Sequence, residues 1–158
     1  LAYDDAIADI VKTFESSGCD AVYGDLEYVA KNDTTKRIRL WKSGSFSRLK
    51  MKLGWMPPHP SFYMKRDCYS QFGCFSLDYR ISADYDSLLR YILKQRISIA
   101  YLPKVLVKMR VGGISNRSVS SMINKSMEDI RAMRQNGIIW PIALAYKNLS
   151  KLPQFIKK

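Results

Sequence analysis

The sequence predicts an α/β domain built on a mixed β-sheet. Three observations carry that expectation: apolar stripes at the helical period, short runs of β-branched and aromatic residues between them, and glycine or proline at the joints. At 158 residues, 47% hydrophobic and 25% charged, the chain has globular composition and the usual length of one domain.

Asp4 and Asp5 open a helix whose Ile7, Ile10, Val11 and Phe14 form a stripe, and Gly18 sits where a C-terminal cap belongs. DAVYGDLEYVA follows as a strand, with Gly24 and Asp25 marking either a bulge or the strand's end. Lys31 to Thr35 is polar turn material, and RIRLW, Arg37 to Trp41, is a second strand returning beside the first. Ser45 to Leu53 reads as a short basic helix. The prolines of GWMPPHPSFYM impose an extended, rigid entry to a third strand, SFYM. Asp67 then starts a short helical turn, CYSQF, ended by Gly73.

In RISADYDSLLRYILKQ, Arg80 to Gln95, the residues Tyr85, Leu88, Leu89, Ile92 and Leu93 form one stripe and predict a strongly amphipathic helix. Asp84 and Asp86 stand at its mouth, where free N–H groups and the helix dipole favour carboxylates. ISIAYLP and VLVKMRV read as two short strands either side of Pro103. GGIS, Gly112 to Ser115, permits a tight turn or a close backbone approach to a ligand. Val119, Met122, Ile123, Met127, Ile130 and Met133 give another amphipathic helix. Trp140 to Leu149 gives a last, apolar one with Pro141 near its first turn.

The formal net charge is +12. It concentrates in two places. Between Lys31 and Lys52 the cations face Asp33 alone, and from Arg117 onward Lys and Arg outweigh Glu128 and Asp129. A solvated basic face, a nucleic-acid footprint and an anionic membrane surface all accommodate such charge. Trp41, Phe46 and Trp55 interleave with the first cluster, as in modules that bind single strands. No RNP, KH or helix-turn-helix signature accompanies them, so nucleic acid is not the expected partner. The third alternative is a non-enzymatic membrane-surface adaptor docking through Trp140 to Lys158.

Cys19, Cys68 and Cys74 are odd in number, lack C-x-x-C spacing and have only His59 as an imidazole partner. Neither a disulfide framework nor a zinc site is expected, and a reducing cytoplasmic setting fits. The sequence has no apolar run of the length a spanning helix needs and no signal-peptide pattern at Leu1. No G-x-G-x-x-G or Walker pattern is present either.

Three stretches taken in order resemble the C-terminal half of a bacterial family-2 glycosyltransferase. They are YGD at Tyr23 to Asp25, HPSFYMKRDCYSQFGCFSLDYRISADYDSLLR at His59 to Arg90, and RVGGIS at Arg110 to Ser115. The resemblance covers roughly Asp4 to Arg117, and its nearest patterns belong to enzymes that build capsule, O-antigen and other exopolysaccharides. It implies a partial GT-A type fold over residues 1–117, the acceptor-side half of a catalytic domain, followed by a C-terminal helical extension over residues 118–158. It also implies inverting transfer of a sugar from a nucleotide-sugar donor to a sugar or lipid-linked acceptor, in the cytoplasm or peripherally on the inner face of the plasma membrane.

Under that resemblance Asp84 takes the position of the catalytic base. His59 and Asp25 become substrate-binding candidates. Arg110, Gly112, Gly113 and Ser115 are candidates for the diphosphate. Asp86 is kept among the substrate-binding candidates, although its spacing to Arg90 suits an i, i+4 pair. Family members use a divalent metal, Mg or Mn, held by a D-x-D or DD motif that lies, with the first nucleotide-holding βαβ units, in about a hundred residues preceding this pattern. Asp4 and Asp5 are read as helix-start residues instead, so the expectation is a fragment that binds no metal itself.

Overall fold

The computed structural model describes residues 1–112 and 119–149. Its fold is α/β, an open mixed sheet of four strands flanked by helices. β1 (Ala21–Val29) is the centre. β4 (Ile99–Arg110) runs parallel to it from the Ala21 and Ile99 pair to the Val29 and Arg110 pair, filling one edge. The other edge is divided. β3 (Phe62–Met64) pairs antiparallel with Ala21, Val22 and Tyr23, and β2 (Arg37–Trp41) pairs antiparallel from Leu26 to Val29.

The change of partner falls at Gly24. Opposite it, β4 places Leu102, Pro103 and Lys104 between the partners of Tyr23 and Asp25, which is a bulge. Proline has no N–H to give a ladder, and the bulge takes it out of the pairing. The two short strands expected either side of Pro103 are therefore one continuous strand. A Cβ on Gly24 would lie 2.5 Å from Leu106 Cγ and 2.8 Å from the Lys104 carbonyl oxygen. The two backbones come this close only over a glycine.

β1 alternates between two cores, as a strand with both faces covered must. Val22 meets Ile10, Cys19 and Leu106 on one face, whereas Ala21 and Tyr23 belong to the larger core on the other. The smaller core lies under α1 (Ala6–Ser17), which Asp5 precedes and Gly18 closes at φ 64°. Only part of the predicted stripe reaches the sheet. Ala6 and Ile10 are buried, while Ile7 and Val11 stay 48% and 47% exposed.

On the opposite face lies α4 (Ala83–Leu89), continued by a wider π turn over Arg90–Lys94. The helix is shorter than its apolar pattern, because Arg80, Ile81 and Ser82 lead into it without joining it. Tyr85, Leu88, Leu89 and Ile92 are buried as the stripe predicts, each aliphatic one worth about 1.5–3 kcal/mol. Asp86, Ser87 and Tyr91 are buried too, so α4 keeps almost no solvent face.

The element covering that polar side is α5 (Val119–Gln135). Its buried residues are Asp129, Ala132 and Met133, with Asn136 buried just beyond its end, whereas Met122, Ile123 and Met127 point outward, Met127 with 65% exposure. The expected apolar stripe is thus met only at its C-terminal end, where Met133 is buried and Ile130 half-buried; further toward the N-terminus, Glu128 and Asp129 join α5 to the lead-in of α4 by hydrogen bonds. α6 (Trp140–Leu149) packs on α5 and buries Ala143. Two short helices complete the chain, α2 (Arg48–Lys52) with Met51 buried and α3 (Arg66–Phe72) with Cys68 buried. The three cysteines are free. No helix among the described residues is long and apolar enough to cross a membrane.

Candidate active site at the start of α4

Asp84 occupies the first turn of α4, half-buried, and one of its oxygens accepts the Tyr85 N–H at 2.7 Å. The histidine comes from a different part of the chain. His59, Pro60 and Ser61 form a single 3₁₀ turn entered through Pro58. Ser61 fastens that turn to the sheet, its hydroxyl reaching the Gly24 carbonyl at 2.8 Å and the Pro58 carbonyl at 3.0 Å. The turn packs against α4.

Burial pushes the His59 imidazole below its ordinary pKa, and the nearby Asp84 carboxylate pulls it partly back up. Phe75 stands edge-on to the imidazole, with ring centroids 5.4 Å apart. A partly buried imidazole, held below its ordinary pKa, thus lies within electrostatic reach of a carboxylate with one engaged oxygen, a pairing suited to binding hydroxyl groups and moving a proton.

Asp25 is buried beneath this level, and its Oδ1 accepts the Ser43 N–H and the Tyr101 hydroxyl, both at 2.8 Å. Burial and that carboxylate together push the Tyr101 hydroxyl up. Tyr23 stacks on Tyr101 at 5.2 Å and donates its hydroxyl to the Gly44 carbonyl. Asp25 therefore ties the segment after β2 to β4.

Asp86 lies about 200° around the helix from Asp84. It is buried against α5, accepting from Asn136 Nδ2 at 2.9 Å and facing Arg90 Nε at 3.9 Å. The structure does not bring these two carboxylates together. Arg110 is exposed at the end of β4 opposite Val29, five residues along β1 from Gly24, or about 17 Å at the strand rise. Gly112 follows at φ 114°. Gly113 and Ser115 lie outside the described residues.

No family model, curated protein or solved structure matches this chain.

Several residues that shape the site carry no recognisable pattern. Glu128 accepts three successive backbone N–H groups, from Arg80 at 3.1 Å and from Ile81 and Ser82 at 2.8 Å. Ser82 in turn donates its hydroxyl to Asp129 at 2.7 Å. The Arg90 guanidinium donates to the carbonyls of Phe72, Gly73 and Cys74, and the Tyr91 hydroxyl reaches Gly73 at 2.6 Å. One sign was available: Glu128 and Asp129 are the only acids after Asp86.

Among the described residues no three His, Cys, Asp or Glu side chains gather closely enough to hold a metal ion. Two shallow surface concavities, about 450 Å³ along Met127 and Arg134 and about 550 Å³ beside Tyr3 and Lys108, include neither Asp84 nor His59.

Proposed function

We propose that this chain is the acceptor-side half of an inverting GT-A type glycosyltransferase of bacterial cell-surface polysaccharide synthesis. The observation that carries the reading is the packing of the His59 turn against the helix that bears Asp84, two residues of the resembling stretch that are 25 positions apart in the sequence. In the proposed reaction Asp84 accepts the proton of an acceptor hydroxyl while that oxygen attacks the anomeric carbon of the donor. The bond from that carbon to the diphosphate oxygen breaks, the leaving group keeps the electron pair, and attack from the opposite side inverts the centre. His59, uncharged near neutral pH, offers one donor and one acceptor to sugar hydroxyls beside the base. No ligand of the family's divalent ion is assigned to this chain.

A membrane-side location for the acceptor is favoured by Ile123, Met127, Ile142 and Tyr146, exposed on α5 and α6, and by Arg131 and Arg134 flanking Met127. Apolar and cationic groups together suit the surface of an anionic bilayer, where a lipid-linked sugar would reside. A single-stranded nucleic acid is disfavoured because Phe46 and Trp55, two of the three rings in the basic cluster, pack against the core.

The test is sugar transfer from a panel of nucleotide sugars to oligosaccharide and lipid-linked acceptors. It uses the complete gene product that contains this sequence, wild type against Asp84→Asn. Loss of about 10²–10⁴-fold in kcat with nucleotide binding retained is expected for a general base. Equal rates in the two proteins would reject the assignment.

A further inference from the structure

Two sets of hydrogen bonds converge on the candidate site from outside it, one on each partner. The first acts on Asp84. Residues Arg80, Ile81 and Ser82 form the lead-in to α4, and all three of their N–H groups end on one carboxylate, that of Glu128. The neighbouring Asp129 holds the Ser82 hydroxyl, and Ser82 is the residue immediately before α4. The two positions between Ser82 and Tyr85 have little freedom once the lead-in is fixed below and Tyr85 is buried above. The direction in which Asp84 leaves the helix is therefore set from α5.

The second acts on His59. Arg90 and Tyr91 together engage the carbonyls of Phe72, Gly73 and Cys74. Those residues immediately precede Phe75, whose ring lies against the imidazole. Arg90 is itself oriented by Asp86 at 3.9 Å. A guanidinium gathering three carbonyls in a row ties the last residue of α3 to Gly73 and Cys74, which belong to no helix or strand. Phe75 thereby becomes a fixed wall behind His59.

We propose that Glu128 and Arg90 are positioning residues, Glu128 aiming Asp84 and Arg90 backing His59 through Phe75, so that base and imidazole keep one separation. This deepens the transferase reading and rests on it for its purpose, but the geometry is testable without any sugar. Neither Arg90 nor Glu128 forms a hydrogen bond or ion pair with Asp84 or His59; their hydrogen bonds go to the backbone segments they hold.

His59 is the only histidine of the chain, so its ring protons give an unambiguous titration by NMR. Asp84→Asn should lower the His59 midpoint, because the charge that pulls it up is gone. The measurement that isolates positioning is the same substitution made in a Glu128→Ala or an Arg90→Ala background. Each background should shrink that downward shift by half or more, with Glu128→Gln and Arg90→Lys retaining an intermediate part of it. A full-sized shift in both alanine backgrounds would overturn the proposal, as would an Asp84→Asn protein whose His59 titrates like wild type. Should an alanine variant fail to fold, as judged by circular dichroism, the Gln and Lys variants decide: an undiminished shift in both would also overturn it. A wild-type protein that passes this test but transfers no sugar would sink the transferase reading and leave the positioning intact.

Discussion

Asn136 Nδ2, in the turn just after α5, donates to the Asp86 carboxylate of α4 at 2.9 Å. Both side chains are more than nine-tenths buried. Losing one partner leaves a buried carboxylate short of a donor, which costs about 1–3 kcal/mol. Asn136→Ala should therefore lower the urea midpoint with little change in slope. The double variant with Asp86→Ala should lose less than the sum of the two single losses, because the stranded charge is removed as well.

Gly24→Ala should be among the most damaging small substitutions in the sheet. The added methyl meets the Leu106 side chain and the Lys104 carbonyl within 2.8 Å, and overpacking of this kind costs about 1–3 kcal/mol. Trimming Leu106 to alanine in the same protein should not restore the melting temperature, since the carbonyl belongs to the backbone and remains.

The two sides of α5 should respond oppositely to the same chemical change. Met133→Ser empties a fully buried site and should cost several kcal/mol, on the order of 2–5. Met127→Ser and Ile123→Ser, on the exposed side, should stay within about 0.5 kcal/mol. If that side docks on lipid, the same two variants should reduce flotation with anionic liposomes while leaving the melting temperature unchanged.

Acid should weaken the protein in two stages. Burial holds His59 below its ordinary value, so below about pH 6.5 the unfolded chain takes up a proton before the folded one does. Stability falls over that interval. The Ser98 N–H and hydroxyl hold the Asp20 carboxyl below its usual range. Burial alone would raise Glu128, yet the N–H groups of Ser82, Ile81 and Arg80 outweigh it and hold it low. Stability from these carboxylates is complete above their unfolded values and is lost as pH falls through the folded ones, below about pH 4. Urea midpoints measured across this range should show both declines, and Glu128→Gln should flatten the second.

Much of the fold was legible in the order of elements. The stripe of Tyr85, Leu88, Leu89 and Ile92 announced α4, and Asp5 and Gly18 bracketed α1, because apolar spacing and caps are local properties. The orientation of α5 was not legible. Periodicity counts apolar side chains, so it placed Met122, Ile123 and Met127 on one face with Ile130 and Met133; only Met133 of these is fully buried, and the docking also uses Glu128, Asp129 and, just after the helix, Asn136, whose partners on α4 and its lead-in are about fifty residues away. The continuous β4 was missed for a related reason: Pro103 reads as a break until a partner strand with a glycine opposite it is known. At the site, residue types alone made Asp84 a helix-start acid. Only the family resemblance made Asp84 and His59 candidates for one site, as base and substrate-binding residue, since nothing local links a proline-bounded turn to a distant helix.

The pairing of β1 with β4 has a kinetic consequence. Ala21 and Ile99 are partners across 78 positions, and the His59 turn and α4 both lie inside the loop that this contact closes. Closing so long a loop is slow, and topologies dominated by such distant pairings fold late relative to local ones. During synthesis the last strand must leave the ribosome before the sheet is sealed. Until then the histidine and the aspartate belong to an open chain, exposed to chaperones and proteases rather than to a ligand.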